Sequence, residues 1–141
     1  MPIERLRSPR PEIHLLDIAA LKAHERVIAT RLLKIKSALK KSGEVRTPLW
    51  VEREHLIVLN GHHRLGALRE LGCRYAPAIL LDYSNDDVRV GVCPGAKIAS
   101  IDKRSIIAAA LTGNLLPARS SLHVLSFLPG VRPTPLAALK H

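Results

Sequence analysis

Aromatic residues are scarce: one Trp, one Phe and two Tyr in 141 residues. The core must therefore be aliphatic, built from Leu, Ile, Val and Ala. Cysteine is equally thin. Cys73 and Cys93 are too few and too isolated for a disulfide framework or a zinc site. No run is long and apolar enough to span a bilayer as a helix. The charged segment 1–10 is not followed by the apolar stretch of a secretory signal. Cytoplasm is the expected location, with no membrane partner. Disorder is also excluded over most of the chain, because 47% hydrophobic and 24% charged residues are ordinary globular values. One domain with a real core fits this length.

Acids are the other deficit. Twelve Asp and Glu face twenty-two Lys and Arg, for a net charge of +10. The excess is not spread evenly. Residues 22–46 hold eight Lys or Arg against two acids, whereas residues 47–83 balance at four against four. A basic face of this kind serves nucleic acid, serves a multiply charged small substrate such as a nucleotide, or is simply solvated.

Residues 1–12, with three Pro and three Arg, read as a loose arm, residues 13–128 as the domain, and residues 129–141 as a peripheral tail. Within the domain, residues 14–16 form a short strand and Asp17 caps a turn through Leu21. Ile28, Leu32, Ile35 and Leu39 recur at helical spacing, predicting a helix over 24–41 with Glu25 in its first turn. Lys40 and Lys41 suit its C-terminal end, and Gly43 stops it. Strands follow at 48–51 and 56–59, the second apolar enough to be covered on both faces. Asn60-Gly61 breaks it, and Leu65, Leu68 and Leu71 place a helix over 62–71. Further strands fall at 76–81 and 88–92. Asp102 caps a helix through Leu111, stopped by Gly113, and residues 115–128 read as irregular with a short strand. The order predicts a mixed α/β (α+β) fold with a small mixed sheet and flanking helices.

The chemistry centres on Asn60-Gly61-His62-His63-Arg64. A strand entering a helix through Gly leaves the first helical N–H groups unpaired. Those donors and the helix dipole attract a phosphate. Gly61 permits close backbone approach. His62, His63 and Arg64 add donors around the same point, and Arg64 is able to grip two phosphate oxygens at once. The competing reading is a polar helix start. A metal is disfavoured, because adjacent helical histidines point about 100° apart.

This stretch continues Leu65-Gly66-Ala67-Leu68-Arg69-Glu70-Leu71-Gly72. It resembles the signature turn and helix of the ParB/sulfiredoxin superfamily, whose form in one branch is Asp-Gly-His-His-Arg followed by Ala-Leu and Leu-Gly. That branch holds the free serine kinases. Leu21-Lys22-Ala23-His24-Glu25 is similar to the segment carrying their catalytic glutamate. Gly113-Asn114-Leu115-Leu116-Pro117-Ala118-Arg119-Ser120-Ser121-Leu122-His123 is similar to a segment near their substrate. The resemblance covers roughly residues 12–128. It implies a ParB/sulfiredoxin-like fold and phosphoryl transfer from ATP or ADP, with Mg2+, to the hydroxyl of free L-serine or a similar hydroxylated amino acid. It implies catalytic positions at Glu25, His63 and Asn60, phosphate contacts from Gly61, His62, His63 and Arg64, and substrate contacts from Ser120, Ser121 and His123. No residue is directly assigned to a metal. The pattern departs at Asn60, where the branch has Asp, and at Leu122, where it has Arg.

Sulfiredoxin chemistry is excluded at the turn, because the Cys those enzymes use is His62 here. Two alternatives to a kinase stay open: a catalytically inactive nucleotide-binding regulator, and a DNA-associated module. Too little chain follows the domain for the helix-turn-helix that DNA-binding ParB proteins carry. Nucleic acid is thus the less favoured partner, and a homodimer is conceivable.

Overall fold

The computed structural model describes residues 11–127 and 129–141. Most of the expected arm, residues 1–10, lies outside the described residues. The chain runs β1 (His14–Asp17), α1 (Ala29–Ser42), β2 (Glu44–Val45), β3 (Leu49–Glu52), β4 (Ile57–Asn60), α2 (His62–Glu70), β5 (Tyr75–Leu81), β6 (Val88–Val92), α3 (Lys103–Thr112), β7 (Ser121–Leu125) and β8 (Thr134–Pro135), with short 3-10 turns at Ile18–Ala20 and Leu136–Leu139.

A four-stranded sheet in the order β1-β5-β3-β4 is the centre of the molecule. β5 runs parallel to β3, and the outer pairs are antiparallel. The sheet is mixed, as the sequence predicts. Its strands are covered on both faces, so apolar side chains alternate between two cores rather than between core and water. Leu49, Val51, Val58, Ala76 and Ala78 face one core, completed by Leu39 of α1 and Leu65 and Leu68 of α2. Ile57, Leu59, Ile79 and Leu81 face the other, completed by Val88 of β6 and Ile106 of α3. β6 and β7 form a separate antiparallel ribbon on that side, pairing Val90 with His123 and Val92 with Ser121.

The helix ends follow their signals. Asp102 and Ser105 form a reciprocal capping box on α3, and Gly113 closes it at φ 78°. Gly43 closes α1 at φ 74°. The start of α1 is a correction. The helix begins at Ala29, and Glu25 precedes it in extended backbone. Long-range pairing decides this. The Lys22 amide donates to the Leu56 carbonyl and Lys22 accepts from Val58, while Arg26 donates to Leu116 and His24 accepts from Leu116. Segment 22–26 is thereby stitched between the start of β4 and the loop at Leu116, which local helical spacing does not reveal. With no side-chain cap at Ile28, the ring of His63 accepts its amide hydrogen at 2.9 Å.

The short strand expected within 115–128 is residues 121–125, ordered by pairing with β6. The tail differs from its sequence reading and reaches inward: β8 pairs with β2, Leu139 is fully buried in the first core, and its carbonyl accepts from Arg74.

Candidate active site

β4 delivers the chain to Gly61, whose φ of 110° reverses it into α2. A Cβ there would lie 2.4 Å from Leu49 Cδ2, so the position requires glycine both for its conformation and for its space. The amides of His62, His63 and Arg64 form the first turn, where helix geometry supplies no carbonyl partner. They border a cavity of about 320 Å³.

The three side chains after Gly61 diverge. His62 is buried, and its Nε2 accepts the His24 amide hydrogen at 3.2 Å. Burial, assisted by neighbouring His24, pushes its pKa down to about 3, so the ring is neutral and turned inward. His63 is half-buried on the cavity wall, its pKa lowered by burial and then by Arg31. Arg64 does not stand free. Its Nη1 donates to the Thr47 carbonyl at 2.5 Å, the Thr47 hydroxyl at 2.6 Å and the Pro48 carbonyl at 3.2 Å, and its Nη2 donates to Asn60 Oδ1 at 3.2 Å. It ties the turn to the β3 approach and fixes Asn60.

The opposite wall is built around Glu25. Its carboxylate is 8% exposed. Oε1 accepts the Arg119 amide at 3.1 Å, and Oε2 accepts the Ser121 amide at 2.9 Å and the Ser121 hydroxyl. Burial pushes the carboxyl up, but hydrogen bonds from His24 and from the Ser121 side chain and backbone outweigh it and hold it at about 2. Arg119 takes a positive φ of 58° to present its amide, a strained backbone of the sort that persists where surroundings enforce it.

His123 of β7 completes this wall. It is buried, and its Nε2 lies 2.5 Å from the Tyr83 hydroxyl. Burial, with His24 next, pushes its pKa to about 3, while burial and then the charge of Glu52 push Tyr83 upward. Both groups are neutral, so the Tyr83 hydroxyl donates to Nε2 and the ring hydrogen sits on Nδ1, which has no hydrogen-bond partner among the described residues.

The fold thus gathers Glu25, Asn60, Gly61, His62, His63, Arg64, Ser121 and His123 onto one cavity. Ser120 stands apart: it is buried and its hydroxyl donates to the Pro117 carbonyl. Sequence reasoning missed His24, Arg31, Cys93 and Arg119. His24 and Arg119 lay inside the quoted segments and Arg31 in the basic stretch, but Cys93 carried no signal. Glu52, Glu54 and His55 form a small ligand-like cluster at the β3–β4 turn. There the Glu52 carboxylate accepts from the amides of Glu54 and His55 and organises the turn.

A solved structure of a free serine kinase in complex with AMP superposes with a TM-score of 0.80 at 16% identity, covering 94% of this chain and 95% of that one. The fold is that of the free serine kinases. Two curated relatives carry the same kind of name. An ATP-dependent L-serine kinase from Staphylothermus marinus is 33% identical over 93 residues, 63% of this chain and 37% of that protein. An ADP-dependent L-serine kinase from Thermococcus kodakarensis is 29% identical over 79 residues, 53% of this chain and 33% of that protein. The chain spans about a third of the length of these curated relatives. No protein-family model matches it. The resemblance read from the Gly61 turn is therefore present in both sequence and three-dimensional comparison.

Proposed function

We propose that the chain transfers the terminal phosphoryl group of ATP or ADP to the hydroxyl of free L-serine, giving O-phosphoserine. The observation that carries this reading is the cavity itself, with the unpaired amides of the Gly61 turn on one wall and a buried carboxylate on the other. Phosphoryl transfer needs positioning and charge stabilisation more than covalent chemistry. The turn amides and His63 receive the transferred phosphate, Arg31 and Arg119 add positive charge at the cavity, and Glu25 takes the acceptor's proton. His123 offers its Nδ1 hydrogen toward the amino acid. Arg64 and Asn60 hold the turn in shape, and Ser120 holds the 117–120 loop.

Mg2+ enters as the nucleotide complex and thus as part of the substrate. Among the described residues lining the cavity the one carboxylate is Glu25, which already accepts from Ser121 and Arg119, and Asn60 Oδ1 accepts from Arg64. These residues do not suit a resident divalent site. We assign the reaction to the cytoplasm, and place any homodimer contact on the exposed Leu122 and Val124 of β7.

The test is direct. Incubation with ATP or ADP, Mg2+ and L-serine is expected to yield O-phosphoserine by mass spectrometry. Nucleotide binding without a phosphate ester on serine or any other small alcohol would instead establish the second reading, a nucleotide-binding regulator. Asn60 is the residue that favours that alternative, because its amide lacks the charge of the Asp found in the resembling branch.

A further inference from the structure

His24 is a buried titratable group directly behind the cavity wall, next to Glu25, and the proposed transfer does not use it. It is fully buried, and its Nδ1 lies 2.8 Å from the Val58 carbonyl. A carbonyl has no hydrogen to give, so Nδ1 carries one. Its Nε2 lies 2.8 Å from the Ser121 hydroxyl, and that hydroxyl also contacts Glu25 Oε2 on its other side. Ser121 therefore stands between two acceptors with a single hydrogen. Both contacts are made only when the chain from His24 to Glu25 holds one proton beyond neutral imidazole and ionised carboxylate. Glu25 Oε1 and Oε2 already accept the Arg119 and Ser121 amides, an arrangement that suits an ionised carboxylate and leaves the imidazole as the place for that proton.

We propose that Ser121 relays the proton of the acceptor alcohol from Glu25 to His24, and that His24 Nε2 is where it comes to rest. This rests on the serine kinase reading above. In the step, the alcohol O–H bond breaks and its oxygen bonds to the terminal phosphorus. The phosphorus–oxygen bond to the nucleotide breaks, and its electron pair leaves with the nucleotide. The proton passes to Glu25 Oε2. Ser121 takes it from there while its own hydrogen moves to His24 Nε2. The heavy-atom spacing fits the loaded relay, with the imidazole donating to Ser121 and Ser121 donating to Glu25. His24 acts through Ser121 and is a positioning residue. Glu25 is the group that meets the substrate.

The surroundings favour one acceptor. On α2, the His62 ring lies 4.6 Å from His24, edge-on at 77°, and its Nε2 already accepts the His24 amide. On β7, the His123 ring lies 5.8 Å away, with Nε2 taken by Tyr83. Both rings are held neutral by burial. On its own segment His24 faces the Glu25 carboxylate, with Nε2 3.4 Å from Oε2, a counter-charge placed to hold an imidazolium.

Two measurements on the full chain test this. The first is the pH profile of phosphoserine formation at saturating nucleotide. Wild type loses kcat on the acid side as the relay stays loaded. Ser121→Ala lowers kcat by about a hundredfold, leaves KM for serine nearly unchanged, and moves the acid limb to lower pH, where Glu25 titrates alone. Ser121→Thr, which keeps the hydroxyl, recovers most of kcat and returns the limb. The second is NMR of the His24 imidazole nitrogens and the Glu25 carboxyl carbon, which needs no turnover. In wild type the two signals titrate together as one coupled pair, and in Ser121→Ala they separate. Absence of product in wild type would remove the kinase reading while the NMR still decides whether the proton is shared. Wild-type kcat and acid limb in Ser121→Ala, or independent titration of His24 and Glu25 in wild type, overturns the relay.

Discussion

The Glu25 carboxylate is held by the amide and hydroxyl of Ser121 and the amide of Arg119. A glutamine there has one acceptor oxygen and turns an NH2 group toward donors. Glu25→Gln is expected to lower turnover at least a hundredfold and to cost roughly 1–3 kcal/mol of stability. Nucleotide affinity, measured by calorimetry, should change little; turnover retained near wild type would remove Glu25 from its assigned role. The same residues set how the fold responds to acid. Glu25 is depressed from 4.5 to about 2, so its contribution is present above pH 4.5 and is lost as pH falls through that window. His62 and His123 are depressed from 6.5 to about 3. Their unfolded forms bind protons first, so stability falls as pH drops from 6.5 toward 3, by about 1 kcal/mol per histidine per pH unit. Thermal melts between pH 7.5 and 5 should therefore show Tm declining from near pH 6.5, well before Glu25 titrates. A flat Tm over that range would contradict the buried neutral state of both rings, and His123→Gln should reduce the slope.

Among the elements, the β4–α2 turn has the narrowest tolerance. At Gly61 an added Cβ meets Leu49 Cδ2 at 2.4 Å and Arg64 Nη2 at 3.0 Å, on backbone at φ 110°. Gly61→Ala is expected to cost roughly 1–3 kcal/mol for the backbone strain, with crowding added, and to weaken nucleotide binding by displacing the turn amides. Gly113→Ala, also at positive φ but with nothing within 4 Å of the new Cβ, serves as the comparison: it should lower Tm less and leave nucleotide affinity intact. Equal losses in the two variants would show that the space at Gly61 is immaterial. This turn was legible in the sequence because glycine, histidines and a leucine stripe mark it locally, as Asp102 and Gly113 mark α3. The start of α1 was not. Apolar spacing continues smoothly through Ile28, whereas the pairing that keeps 22–26 extended comes from Leu56, Val58 and Leu116, far along the chain. The importance of His24 was hidden for the same reason. Its partners Val58 and Ser121 lie 34 and 97 residues away.

Across the whole molecule, the distribution of charge separates the two polyanions the proposed readings allow, a nucleotide and a nucleic acid. Lys34, Lys40 and Lys41 of α1 are exposed, and none of them lines the cavity. Arg31, in the first turn of α1, does line it and adds to the effect of burial in lowering the pKa of His63. The basic helix thus has an outward face that meets solvent and an inward end that meets the site. Contacts of the first kind are made and broken with counterions, and a protein neutralising several phosphates loses orders of magnitude in affinity between about 50 and 200 mM salt. Contacts in a partly enclosed cavity, backed by helix amides, are screened much less. Two titrations across salt separate these cases. Duplex DNA binding by fluorescence anisotropy is expected to be detectable only at low salt and to disappear near physiological ionic strength, while ATP or ADP binding persists. Arg31→Gln should weaken the nucleotide by roughly tenfold, of the order of one charge-assisted contact, and Lys40→Gln with Lys41→Gln should leave it unaffected. Duplex binding that survived physiological salt and was lost in the Lys40 and Lys41 variant would reverse the assignment, making the outer face of α1 a nucleic-acid surface.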